Sequence, residues 1–251
     1  MPFVNIEGIR IHYAAEPDLP EPGRVTLLLI HGSGGCHEVW SHQIESISGA
    51  INIIALDLPG HGLSEGRGEQ EISRSTDWVK KFTKTLGPSP LVLVGHSMGG
   101  AVVMDICLRS PRRLAGAVFL STGAKLRVMP DIFRLLEAHR DQFDSLICDY
   151  GFSPAADQAI KDAYLRISRK IDSEVIAGDF RACDAFDRMA SLGEIKAPTM
   201  VIVGAEDRLT PLKYSQYLNE RLPDSRLEVI PDAGHMLMLE KPGELNRKLE
   251  E

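Results

Sequence analysis

The chain has 251 residues, 43% of them hydrophobic and 25% charged, with a formal net charge of -7 at pH 7. That length holds one large core, or one core with an inserted subdomain. The acidic balance, without a basic block or Lys/Arg-rich tail, speaks against nucleic-acid binding and against an electrostatically held membrane patch.

Two short apolar runs at 4–6 and 9–13, joined around Gly8, predict an opening hairpin. A fully apolar strand follows at 25–30, a helix at 38–47, a second buried strand at 51–56 and a helix at 75–86. The run 91–94 leads into a helix over 100–109, and residues 117–120 form another strand. Near-continuous Val/Ile/Leu runs mark strands covered on both faces, which is the pattern of a parallel sheet. Residues 91–108 are apolar enough to suggest a membrane span, but Gly95, Gly99, Gly100, His96 and Asp105 interrupt them, and strand–turn–helix accounts for them better.

The strand–helix rhythm stops between 125 and 196. Only helical patterns occur there, at Ile132/Phe133/Leu135/Leu136, at 155–167 behind Ser153-Pro154, and at 173–189. A block of that length between two strands exceeds the usual connection, and it predicts a helical cap over the C-terminal ends of the strands, where α/β sheets bind ligands. Strands resume at 200–203 and 227–230, with a helix at 211–221 that has Thr210 as its N-cap and Pro211 as its first residue. The expected class is α/β, a mostly parallel doubly wound sheet of about eight strands with an inserted helical cap. The core comprises 1–124 and 197–251, and the cap 125–196.

Gly95-His96-Ser97-Met98-Gly99 ends the 91–94 run. A serine between glycines at this spacing suits a tight strand-to-helix turn, which lifts the hydroxyl above the sheet and sets the next N–H at a helix N-terminus. Serine is a weak nucleophile unless a base takes its proton and an acid orients the base. Asp207, past the 200–203 strand, and His235, past the 227–230 strand, complete the order nucleophile, acid, base. Glu206 and Asp232 are neighbouring carboxylates, with Asp207 preferred.

With His31-Gly32-Ser33-Gly34-Gly35, Asp57-Leu58-Pro59-Gly60-His61-Gly62-Leu63-Ser64 and Gly234-His235 added, the whole chain resembles the α/β-hydrolase family. The resemblance implies Ser97 as nucleophile, His235 as general base and acid, and Asp207 as orienting carboxylate. It also implies an oxyanion hole made of the Ser33 and Met98 backbone N–H groups, with Gly32, Gly34 and Gly35 allowing close approach. Asp57 reads as a structural turn residue, His31 and His61 as loop pins, and His96 as packing beside the elbow. His12, His37, His42 and His139 show no partner pattern and read as surface or packing residues. Gly32, Met129, Ile132, Phe133, Leu136 and Met236 are the expected substrate-pocket residues.

The four cysteines (Cys36, Cys107, Cys148 and Cys183) form no C-x-x-C pair and read as reduced, mostly buried thiols. Cys36, beside the glycine-rich loop, is the candidate for reactivity. Without H-E-x-x-H, a P-loop or a full dinucleotide fingerprint, no metal or organic cofactor is expected. The opening residues lack a basic segment followed by an apolar run, so a cytoplasmic location without stable membrane anchoring is expected. The expected partner is a small-molecule ester, and the chain a monomer or homodimer. The expected activity is that of a carboxylesterase-type serine hydrolase acting on small to medium acyl chains. The alternatives are a C–C bond hydrolase, lactonase or thioesterase of the same fold, or a small-molecule receptor.

Overall fold

The apolar runs become strands whose alternate side chains serve two cores. In the computed structural model, which describes residues 2–17, 20–47, 51–109 and 114–251, Leu28, Ile54, Leu93 and Phe119 pack on one face of the sheet. Leu29, Ile53, Val94 and Leu120 pack on the other. Successive side chains of a strand point to opposite faces, so a run apolar at every position is stable only where both faces are covered.

Among the described residues the strands are β1 (Phe3–Ile6), β2 (Ile9–Glu16), β3 (Val25–Ile30), β4 (Ile51–Leu56), β5 (Leu91–His96), β6 (Leu114–Leu120), β7 (Thr199–Gly204) and β8 (Ser225–Ile230). Their spatial order is β1-β2-β4-β3-β5-β6-β7-β8. β2 pairs antiparallel with β1 and β4, and the remaining neighbours are parallel. This is the mostly parallel, eight-stranded sheet expected.

Helix α1 (Ser41–Ser46) follows a 3-10 turn at His37–Trp40, and α2 (Ile72–Thr83) and α3 (Met98–Leu108) follow β4 and β5. α2 begins three residues earlier than the expected 75, because Ile72 is buried and extends the stripe of Ser75, Thr76, Val79 and Phe82.

Between β6 and β7 lie α4 (Asp131–Ala138), α5 (Arg140–Gly151), α6 (Gln158–Ser168), α7 (Ser173–Asp184) and a 3-10 turn at Met189–Glu194. α5 is not among the helices expected from the sequence, although Phe143, Ile147 and Tyr150 follow helical spacing. α6 begins at Gln158 rather than 155, since the Asp157 side chain accepts from Ala159 N and caps it there. α7 stops at Asp184, short of the expected 189. Within this insertion the buried Asp144 accepts from Arg140 Nε at 3.0 Å and Arg169 Nε at 2.7 Å, joining α5 to the end of α6. Ile132, Phe143, Tyr164 and Ile176 of the insertion pack in the same cluster as Val94 and Leu120 of the sheet. The chain closes with α8 (Leu212–Arg221), α9 (Leu237–Glu240) and α10 (Pro242–Glu250). No helix among the described residues is long and apolar enough to cross a membrane.

Candidate active site

Ser97 sits between β5 and α3 with φ 53° and ψ -116°, a conformation that side chains rarely adopt. The surrounding backbone leaves no room to relax it. A Cβ on Gly95 would collide with the Gly99 carbonyl, and one on Gly99 with the Ile30 carbonyl. Ser97 N donates to Leu120 O at 2.9 Å, and Thr122 Oγ1 donates to Ser97 O at 2.8 Å, so the end of β6 and the loop after it fix the turn from the side. The glycines of the pentapeptide are thus space requirements at crowded backbone crossings.

The loops after β7 and β8 bring Asp207 and His235 together, with Nδ1 of the imidazole 2.9 Å from Asp207 Oδ2. Thr210 Oγ1 donates to the same carboxylate oxygen at 2.8 Å and lies 3.2 Å from His235 Nδ1. The other oxygen accepts from Leu209 N at 2.9 Å and Thr210 N at 2.8 Å. Burial pushes the Asp207 carboxyl up, but the neighbouring His235 and these hydrogen bonds outweigh it, and the net displacement is downward. Asp207 is therefore held as the carboxylate. It fixes the tautomer that leaves the far nitrogen of His235 available. Among the described residues Ser97 and His235 share a cavity wall without a direct hydrogen bond, and such contacts often tighten only with substrate bound.

The His235 loop is held from several directions that the sequence did not signal. Nε2 of His96 donates to the His235 carbonyl at 3.0 Å, with the two rings 4.7 Å apart. Burial and the adjacent His235 hold His96 well below the usual histidine range, so it stays neutral. Glu240 accepts from Gly234 N at 3.1 Å and Ser153 N at 2.8 Å. Glu206 accepts from Ser153 Oγ at 2.6 Å and so serves the insertion, not His235.

The loop carrying Ser33 hangs on two histidines. Nδ1 of His31 donates to Gly32 O at 2.8 Å and its Nε2 accepts from Leu58 N at 3.1 Å, which requires the neutral ring. Burial brings its pKa down to about 4. His61 faces acceptors on both sides, Pro59 O at 3.0 Å and Asp179 Oδ2 at 2.9 Å, and therefore donates from both nitrogens as the imidazolium. Burial works against that charge, but Asp179 and the hydrogen bonds raise its pKa overall. Asp179 Oδ2, on α7, also accepts from Gly34 N at 2.9 Å. One carboxylate thus joins the insertion, the Ser33 loop and the 57–64 loop. Neither Ser33 N nor Met98 N donates to a protein acceptor among the described residues. Met98 N has none because it opens a helix.

Asp57 is the structural turn residue expected, and its carboxylate lies far below the usual range: burial opposes this, and hydrogen bonds from His12 and His37 prevail. His12 and His37 have a partner after all. Their Nδ1 atoms lie 2.7 and 2.9 Å from Asp57 Oδ2, correcting their reading as side chains without one. A Cβ on Gly62 would meet the same carboxylate. The buried Cys36 has its thiol pushed up to about 12 by burial, which corrects its candidacy for reactivity.

Above Ser97 lies a cavity of about 190 Å³ between the sheet edge and the insertion. Of the candidate pocket residues, Met129, Ile132 and Met236 line it, together with Ser33, Phe143, Ile147, Tyr150, Tyr164, Phe180, Arg127 and Arg208. Gly32, Phe133 and Leu136 do not. Gly32 packs beneath, beside His96 and Ser97, whereas Phe133 and Leu136 line a separate cleft shared with Ala177 and Arg181 of α7.

Comparison with known proteins agrees with this architecture. A family profile described as the alpha/beta hydrolase family matches residues 27–248. A solved thermophilic esterase is 34% identical, with a TM-score of 0.86 over 99% of this chain and 95% of its own. A pimeloyl-[acyl-carrier protein] methyl ester esterase of Aromatoleum aromaticum is 28% identical over 87% of this chain and 94% of its own length. A dihydrolipoyllysine-residue acetyltransferase component of an acetoin cleaving system, from Cupriavidus necator, is 26% identical over 98% of this chain and 67% of its own. The elbow at Ser97, the sheet order and the family match together make this chain a member of the alpha/beta hydrolase family.

Proposed function

We propose that the chain is a serine hydrolase of carboxylic esters with small to medium acyl groups, capped by α4–α7. The observation that carries this reading is a strained serine sharing a small apolar cavity with an imidazole whose Nδ1 is 2.9 Å from a buried carboxylate. The cavity falls below the roughly 300 Å³ at which drug-sized ligand sites begin, which suits a short acyl or alcohol group. The solved esterase and the methyl ester esterase support ester chemistry.

In this reading His235 takes the Ser97 proton as the hydroxyl oxygen attacks the ester carbonyl. The Ser33 and Met98 N–H groups stabilise the resulting oxyanion, each contributing about 3 kcal/mol in comparable sites. The imidazolium then protonates the departing alcohol. A water activated by the same ring releases the acid and restores the serine.

The test is Ser97→Ala on p-nitrophenyl butyrate, where a rate loss of roughly 10⁶ is expected. Retention of a tenth of the activity would overturn the assignment. A panel from acetate to palmitate, with a lactone, a thioester and a C–C diketone added, separates ester hydrolysis from its alternatives. Turnover of many cycles per protein separates an enzyme from a receptor modified once.

A further inference from the structure

We propose that the substrate carries a carboxylate remote from the bond to be cleaved, held at the cavity rim by Arg127 and Arg208. This rests on the ester-hydrolase reading above and narrows its substrate class. In a chain of net charge -7, the only permanently charged side chains in the described cavity wall are these two arginines, both exposed.

Among the described residues neither forms an ion pair, although acids lie close by in sequence. Glu206, beside Asp207, is committed to Ser153, and Asp207 itself to Thr210 and His235. On the Arg127 side, Asp184 accepts from Val128 N at 3.2 Å. Asp187 interacts electrostatically with Arg127, but its ion pair is with Lys125 Nζ at 2.6 Å. The neighbouring carboxylates thus have other partners, and among the described residues neither guanidinium donates a hydrogen bond to the protein, so both retain donor capacity.

Arg208 is also positioned to receive an anion. Its Cζ lies 5.2 Å from the centre of the Tyr150 ring on α5, and among the described residues its N–H groups donate to no protein acceptor. The N–H edge of a guanidinium matches the two oxygens of a carboxylate. Deeper in the cavity Ile132, Phe143 and Ile147 offer no group that could solvate a charge, so the anionic end belongs at the rim.

The experiment pairs each anionic ester with its methyl-capped twin. One pair carries the carboxylate on the acyl part (p-nitrophenyl hydrogen adipate against p-nitrophenyl methyl adipate). The other carries it on the alcohol part (4-carboxyphenyl butyrate against its methyl ester). In the wild-type protein at least one anionic member should exceed its twin about tenfold in kcat/KM, mainly through KM. In the double variant Arg127→Gln/Arg208→Gln that ratio should fall to about 1. Lys84→Gln, which removes one charge from an exposed position that does not line the cavity, should leave the ratio at its wild-type value.

Equal turnover within both pairs by the wild-type protein overturns the proposal, as does a ratio that survives in the double variant. If no ester of either kind is hydrolysed, the ester reading fails instead. The inference is then read by calorimetry with adipate against dimethyl adipate, where tighter binding of the dianion, lost in the double variant, is the supporting result. Equal binding overturns it.

Discussion

At the scale of single residues, the site is built from positions where ordinary side chains would be rejected. Ser97 occupies φ 53° while Gly95 and Gly99 make way for carbonyls of the elbow and of β3. A non-glycine residue in such a region costs on the order of 1–3 kcal/mol. Replacing Ser97 by glycine relieves that strain, whereas alanine retains it. Part of the gain is offset by the greater freedom of glycine in the unfolded chain. Ser97→Gly should therefore be more stable than Ser97→Ala by about 1 kcal/mol in urea unfolding. Equal midpoints for the two variants would mean that the turn is not strained. The glycine-serine-glycine spacing was readable from sequence because it reflects local geometry. The His96 contact to the His235 carbonyl was not, because it joins residues that only the fold brings together.

At the scale of elements, Asp179 on α7 ties the insertion to two core loops through His61 and Gly34. The raised pKa of His61 gives this link a definite pH dependence. Below about 6.5 the ring is charged in folded and unfolded states alike, and the stabilisation by Asp179 is fully present. As pH rises through the raised folded-state value, the proton and the stabilisation are lost together. Asp179→Asn should destabilise by about 3 kcal/mol at pH 5.5, the order found when one partner of a buried pair is removed, and by clearly less at pH 9. A urea midpoint difference that does not change with pH would contradict the charged pair. The insertion was legible as a helical block because its length breaks the strand rhythm. Its inner boundaries were less so. α6 starts where Asp157 can cap it, a choice between competing polar residues near Ser153-Pro154. Phe133 and Leu136 share α4 with Ile132, but they line a cleft against α7 while Ile132 lines the cavity above Ser97, a division that depends on how the two helices pack.

At the scale of the molecule, the alternating strand runs were the most legible part, since each β run is long enough for two covered faces to be its one stable arrangement. The same buried interior sets the acid limit of the fold. Burial holds His31 down at about 4, and burial with the adjacent His235 holds His96 well below the usual range. The unfolded chain therefore binds protons at these positions that the native chain refuses. Stability should fall as pH drops from about 6.5 toward 4, by up to about 1.4 kcal/mol per pH unit for each histidine. Urea midpoints measured across that interval give the slope directly, and a flat profile would show that both rings protonate freely in the native state. The order of the chain has a consequence of its own. The proposed base follows β8, the last strand, and the helices behind it complete the second core with Leu245 and Leu249. In the proposed mechanism the serine and its base are therefore contributed by distant stretches of chain. A polypeptide truncated ahead of residue 235 would carry the proposed nucleophile without the imidazole proposed to activate it.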